Sequence, residues 1–171
     1  MEDAMIAEIE RTALPERMAN LPRTDNGYPV PFFAAVVDGK PDLRILDTVK
    51  QWLCVKQRRC GICGELLGWW CAFINGPEGA KNRVCHDPAM HEECARYALL
   101  VCPYLARPTA KRTADGIAGT IAPAGMVTER PSRMALIITH SYSAHVDRAG
   151  CLIIRHGYPK RTEWWINGKA I

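Results

Sequence analysis

The chain has 171 residues, 48% of them apolar, a formal net charge of +4 and eight cysteines. That length can bury a real core in a single domain over 1–171, and the charge is too small for a tail that coats nucleic acid. No run approaches the roughly eighteen apolar residues that a membrane span needs, and Met1-Glu2-Asp3-Ala4 lacks the basic and apolar regions of a secretory signal. A reducing cytoplasm is therefore the expected setting, where closely spaced cysteines tend to bind metal.

From Glu2 to Ala13, the apolar residues Met5, Ile6, Ile9 and Ala13 recur at helical intervals, which predicts a short amphipathic helix. Pro15 interrupts it, and Glu16 to Leu21 adds a further turn that turns Met18 and Leu21 to the core. Gly27-Tyr28-Pro29-Val30-Pro31 is extended, because residues before proline avoid the α region. Phe32 to Val37 reads as a strand, Asp38-Gly39 as a hairpin turn, and Asp42 to Leu46 as the return. Asp47 caps a helix from Thr48 to about Gln57, with Val49, Trp52, Leu53 and Lys56 on one side. Lys56, Arg58 and Arg59 form a basic cluster just before Cys60. Such a cluster serves either as a solvated helix end that complements the dipole or as a set of phosphate contacts.

The chemistry concentrates between Cys60 and Cys102. Cys60-Gly61-Ile62-Cys63 opens this stretch, and His91-Glu92-Glu93-Cys94 follows after a long insert. Two closely spaced pairs of soft and borderline ligands are what a tetrahedral structural Zn²⁺ requires. Gly61 and Gly64 give the first pair the backbone freedom of a knuckle. The second pair is placed on a helix capped by Asp87 with Pro88 at its first position, so that His91 and Cys94 share a face. Between the pairs, Leu66 to Ile74 reads as a strand, Asn75-Gly76-Pro77-Glu78-Gly79 as a turn, and Asn82 to Cys85 as the returning strand. Knuckle, hairpin and ligand-bearing helix over 58–105 is the layout of a treble-clef zinc finger. Two other readings of a CxxC pair are a redox site, disfavoured by the glycine and hairpin that follow it, and thiols with no shared role. Cys85, next to His86, is an alternative ligand by spacing. Cys54, Cys71, Cys102 and Cys151 lie in apolar surroundings that suit packing.

The second-pair helix continues through Ala95, Ala98, Leu99 and Cys102 and stops at Pro103. Prolines and glycines then mark a long loop over 106–132, in which Gly116-Ile-Ala-Gly119 is no phosphate loop because no Gly-Lys-Ser/Thr follows. Met134 to Thr139 and Cys151 to Arg155 are apolar, β-branched strands, joined by a polar stretch with His140, Tyr142, His145 and Asp147. In the tail, Thr162 caps a helical turn, Glu163 to Asn167, that ends at Gly168, and Trp164 and Trp165 close the core. The expected class is a small α+β fold with antiparallel hairpins and the embedded zinc unit.

Several of these segments together, namely Gly27-Tyr-Pro-Val-Pro-Phe-Phe33, Asp38-Gly-Lys-Pro-Asp-Leu-Arg44, Cys60-Gly-Ile-Cys-Gly64, Gly76-Pro77 with Asn82-Arg83, His91-Glu-Glu-Cys-Ala95, Cys102-Pro-Tyr-Leu105 and Glu163-Trp-Trp-Ile-Asn-Gly168, resemble a family of small uncharacterised bacterial and phage-encoded proteins. The likeness runs from about Gly27 to Ala170, apart from the loop. It implies the CxxC and HxxC pairs as metal ligands and leaves Cys85 and His86 outside the pattern. It implies no particular reaction.

Three functional classes follow. The first is a non-catalytic interaction module held by structural zinc, binding nucleic acid or a protein, with Lys56, Arg58, Arg59, Lys81 and Arg83 as candidate phosphate contacts. A second is an HNH-type nuclease, for which His86-Asp87 could begin the motif, but whose partner His would have to be His91. The third places chemistry at His140, His145, Asp147 and His156, where no nucleophile-base spacing is evident. A further alternative is a phage accessory protein acting on a host component, which names a context and not a mechanism. The expected reading is the first, with no catalytic residue and no membrane partner.

Overall fold

The computed structural model describes residues 2–107 and 130–171. The strands β3 (Cys71–Asn75) and β5 (Met134–Thr139) lie at its centre, paired antiparallel from Cys71↔Thr139 to Asn75↔Ala135. Every residue of both strands is buried, which explains why they read as unbroken apolar runs rather than alternating ones. Successive side chains point to opposite faces of a sheet. Ala72, Ile74, Met134, Leu136 and Ile138 accordingly enter one cluster, while Cys71, Phe73, Ala135 and Ile137 enter another.

The central sheet is completed by β8 (Arg161–Ile166) and β9 (Lys169–Ala170), in the order β3-β5-β8-β9. On its first face pack α1 (Glu2–Arg11), a 3₁₀ turn at Glu16–Met18, and α4 (Glu92–Val101), through Ile9, Met18, Tyr97, Leu99 and Val101. Its second face meets a smaller sheet, β4-β7-β6, made of β4 (Val84–Cys85), β6 (Tyr142–Val146) and β7 (Leu152–His156). The helix α2 (Thr48–Gln57) joins that side through Trp52 and Val55. A hairpin of β1 (Ala34–Val37) and β2 (Lys40–Leu46) precedes α2. Two short helices, α3 (Pro77–Asn82) and α5 (Pro103–Ala106), fill connections.

The expected α+β class, the N-terminal helix and turn, the first hairpin and the Asp47 cap are all present. The Asp47 carboxylate accepts the backbone N–H of Val49 and Lys50, each at 3.0 Å. Asp38 (φ 50°) and Gly39 (φ 78°) are both left-handed, as a two-residue hairpin turn that follows strand twist demands. On α2, however, the buried residues are Gln51 and Cys54, and Val49 is exposed, so the expected face was rotated.

Three further expectations are corrected. The strand–turn–strand predicted over 66–85 is not a hairpin: β3 pairs with β5, β4 pairs with β7, and the predicted turn is α3. The tail is not a helical turn. Asn167 (φ 48°) and Gly168 (φ 76°) form a second two-residue hairpin turn between β8 and β9, so the glycine that looked like a helix end is a turn residue. The polar stretch after β5 contains β6, whose half-exposed side chains are typical of an edge strand. Of the loop predicted over 106–132, residues 108–129 lie outside those described.

His156 is almost fully buried on β7. Its Nδ1–H donates to the Gly157 carbonyl at 2.9 Å, while Nε2 has no partner and the ring lies 5.6 Å from Phe73. Burial pushes this imidazole below its ordinary value of 6.5. The unfolded chain therefore takes up a proton below about pH 6.5 that the folded chain refuses, and stability falls as pH drops through that region. Unfolding free energies measured from neutral to mildly acidic pH should decline less in His156→Asn, which keeps the donor, than in the native chain. Phe73→Ala should cost about 3–5 kcal/mol in urea unfolding, as expected for emptying a fully buried ring site.

Candidate metal centre

The chain leaves α2 through Arg58, a left-handed residue (φ 50°) whose N–H bonds to the Cys54 carbonyl. It then doubles back tightly. Cys60 N–H donates to Glu65 O at 2.8 Å, Gly64 N–H donates to Cys60 O at 2.9 Å, and Arg59 bridges Leu66 antiparallel. Gly64 sits at φ +79°, where a Cβ would also come within 2.9 Å of the Phe32 ring. Phe32 and Phe33 back this knuckle, their N–H groups bonding to Ile62 O (2.8 Å) and Gly61 O (3.0 Å).

The second ligand pair is placed by two sets of backbone bonds. Gly61 N–H donates to Ala89 O at 2.9 Å, and Ala72 and Met90 exchange both of their bonds at 2.7 and 2.9 Å. The segment before α4 is thus tied to the knuckle on one side and to β3 on the other. His91 is the N-cap and α4 starts at Glu92, so the helix begins later than the predicted cap at Asp87. The i, i+3 relation survives, because an N-cap and the third helical residue still lie one above the other.

These constraints bring together the four predicted ligands. One donor atom each from Cys60, Cys63, His91 and Cys94 lies within 4.8 Å of all the others. Cys63 Sγ is 3.3 Å from His91 Nδ1, close to the roughly 3.5 Å edge of a tetrahedron built from ordinary metal–sulfur and metal–nitrogen lengths. Cys60 and Cys94 are fully buried, while Cys63 and His91 are half-buried. The group could hold a metal ion, and among the described residues it is the only cluster of this kind.

The electrostatics favour the deprotonated sulfur that a metal needs. Burial opposes ionisation of Cys60, but hydrogen bonds from the Cys63 and Cys94 thiols and from the backbone N–H of Cys63 (3.5 Å) and His91 (3.4 Å) outweigh it and pull the group down. Cys94 moves the opposite way, through its shared hydrogen bonds with Cys60 and Cys63. Two backbone donors, from Cys63 and His91, aim at the Cys60 sulfur. By contrast, burial pushes Cys54 up to about 12 and Cys71 up to about 11, and raises Cys85 well above its usual range. The same residue type is thus suited to metal binding or to packing according to its hydrogen-bond donors.

A second layer orients the imidazole. His91 Nε2 lies 3.0 Å from the Leu66 carbonyl, an acceptor that requires the proton on Nε2 and leaves the Nδ1 lone pair for the cluster. Arg17 Nη1 is 3.3 Å from the same Nε2 and 2.8 Å from Glu65, and its Nε donates to Glu93. The hydrogen bond with Glu93 is the main cause of the raised Arg17 guanidinium. Around a divalent ion, three thiolates and a neutral imidazole would carry one net negative charge. Arg17 and the positive end of α4 both complement it. Nothing in the sequence pointed to Arg17 or to the Leu66 carbonyl, which meet the site only through folding.

Other candidates go elsewhere. Cys85 Sγ–H faces Ile154 O at 3.6 Å, and His86 Nδ1 lies 3.5 Å from Leu152 O, so neither joins the cluster. Cys71 Sγ–H faces Thr139 O at 3.4 Å. His140 stacks on Trp69, Asp147 caps its own turn through Ala149 and Cys151, and His156 is in the core. Of the basic candidates, Arg59 bonds to Gly64 O at 3.0 Å and braces the knuckle, and Arg58 reaches Gly68 O at 3.1 Å with its guanidinium 5.4 Å from the Tyr142 ring. Lys56 lies over Trp52 and Arg83 over Tyr158, while Lys81 is exposed on α3.

Comparison with protein-family models, with curated proteins and with solved structures finds no match for this chain. The geometry alone therefore defines the protein as an α+β chain with a three-cysteine, one-histidine cluster suited to a metal. Gly64→Ala should weaken metal retention in a chelator competition and cost roughly 1–2 kcal/mol of stability, since the left-handed backbone there strains any side chain.

Proposed function

We propose that the chain is a non-catalytic interaction module whose scaffold is held by a structural Zn²⁺. The observation that carries this reading is the closure of the ligand set: four side chains from two separate segments converge, two of them fully buried. Three thiolates and an imidazole in a tetrahedral arrangement suit zinc, and four protein ligands leave no open position for a reacting water. The ion would tie the knuckle to α4 and act as a crosslink between the turn after α2 and the core helix. The partner class this supports is nucleic acid or protein, in keeping with the mild positive charge. The nuclease reading has less support, because its second histidine, His91, lies in the ligand cluster and His86 is turned toward Leu152 O.

The test is the metal content of freshly purified protein together with Cys63→Ser. The expected outcome is about one zinc per chain in the native protein. The variant should lose the ion and more than about 4 kcal/mol of stability, a fall in Tm of roughly 10 °C, with structure lost first over 58–105. Native melting with stoichiometric zinc in Cys63→Ser would refute the assignment.

A further inference from the structure

Immediately after the knuckle the chain exposes two tryptophans. Leu67 is half-buried against both core clusters, its N–H bonded to Arg58 O at 2.7 Å, and Arg58 in turn holds Gly68 O at 3.1 Å. Trp69 and Trp70 then stand outward, 72% and 41% exposed, where β3 begins. Across the sheet, β5 ends at Thr139 and is followed by His140, whose ring stacks on Trp69 (5.4 Å between centroids, 19° between planes) and meets Trp70 edge-on at 5.7 Å. Lys160 places its ammonium 4.3 Å over the Trp70 ring. Tyr158, 80% exposed, lies beside them in the chain: its carbonyl accepts from Thr139 Oγ1 at 3.1 Å, and Arg83 covers its ring at 4.2 Å.

Burial drives most tryptophans inward, and in this chain Trp165 obeys that rule. Trp69 does not, although its loop is held by backbone bonds at both ends. The three segments that build this end of the molecule, 66–71, 138–146 and 155–161, contain no aspartate or glutamate. The nearby carboxylates are already engaged: Glu65 by Arg17, and Glu92 and Glu163 by Arg96 and Arg161. Lys160 has no carboxylate partner among the described residues. The result is an exposed aromatic shelf, with Trp69 stacked on His140 and Trp70 set edge-on to it, flanked by cations and built from segments that carry no carboxylate. A planar, uncharged ligand face joined to an anionic backbone matches it on both counts, and that combination is an unpaired nucleotide strand.

We propose that this shelf binds single-stranded nucleic acid, with bases stacked on Trp69 and Trp70 and phosphates held by Lys160 and Arg83. The inference rests on the interaction-module reading and names its partner and surface. It moves the contact away from Arg58 and Arg59, which the fold uses internally, keeps Arg83 from the phosphate contacts expected from the sequence, and adds Trp69, Trp70 and Lys160, which composition and spacing did not single out. Because the shelf starts only a few residues beyond Cys63, the metal knuckle sets its orientation.

The experiment uses the full, zinc-loaded chain with labelled oligo(dT), oligo(U) and a DNA duplex, each of about 12 nucleotides per strand. The expected result is binding of the single strands, with quenched tryptophan fluorescence and affinity that falls as salt rises, and weaker binding of the duplex. Trp69→Ala should weaken it by roughly 5- to 150-fold, while Trp69→Phe keeps most of it. Lys160→Gln should lower the salt slope by about one. Zinc content and Tm should match the native protein in all three variants, since both side chains are on the surface. Absence of single-strand binding by the native protein, or undiminished binding in Trp69→Ala with Trp70→Ala, would overturn the proposal. A protein partner would then remain for the module. Loss of zinc stoichiometry in the native chain, by contrast, would sink the module reading whatever the shelf binds.

Discussion

The sulfur of Cys60 is where the turn after α2, the start of α4 and the central sheet meet. Two backbone N–H groups point at it, one from Cys63 within the knuckle and one from His91 at the helix N-cap. The same few residues carry the bonds from Gly61 to Ala89 and between Ala72 and Met90. Placing the ligands therefore also places α4, and with it Tyr97 and Leu99 against Leu136 and Ile138. The site and the first core cluster form one packing problem, and a change at the knuckle should be felt through β3.

Burial on both faces of β3 and β5 sets the other constraint. A strand covered on one side only can leave alternate residues polar, but these two cannot. Covering the second face requires β4, β6, β7 and α2, and these elements shelter the non-ligand thiols Cys71 and Cys85 along with His156. The described cysteines thus divide by hydrogen-bonding environment. Cys60 receives N–H donors and is drawn toward the thiolate, whereas Cys54, Cys71 and Cys85 meet carbonyls and are held protonated by burial.

The aromatic end of the molecule follows from that layout. β3 begins and β5 ends at the same edge, so the residues just outside their pairing, Trp70 and His140, are forced together. Lys160 is brought there by its own backbone bond to Ile138, at 2.8 Å. Three stretches far apart in the chain become one surface because the sheet register aligns their ends.

The clustering of Cys60, Cys63, His91 and Cys94, the Asp47 cap, the first hairpin and the apolar strands were legible because each depends on spacing, propensity or turn chemistry within a few residues. The CxxC and HxxC pairs belong to this group: the short-range geometry of a knuckle and of a helix start holds whatever surrounds them. Strand partners were not legible. Leu66 to Cys85 carries hairpin-like signals, yet β3 and β4 find better apolar partners in β5 and β7, and long-range pairing overrode the local turn. The tail shows the same limit, since Asn167-Gly168 suits a helix end and a hairpin equally and only pairing of β8 with β5 selects the strand. What the sequence determined alone was which side chains can ligate and where helices and turns start. The fold decided that Leu66 O orients His91, that Arg17 is held beside it by Glu65 and Glu93, and that Trp69 meets His140, because those contacts join residues dozens of positions apart that burial of the central strands brings together.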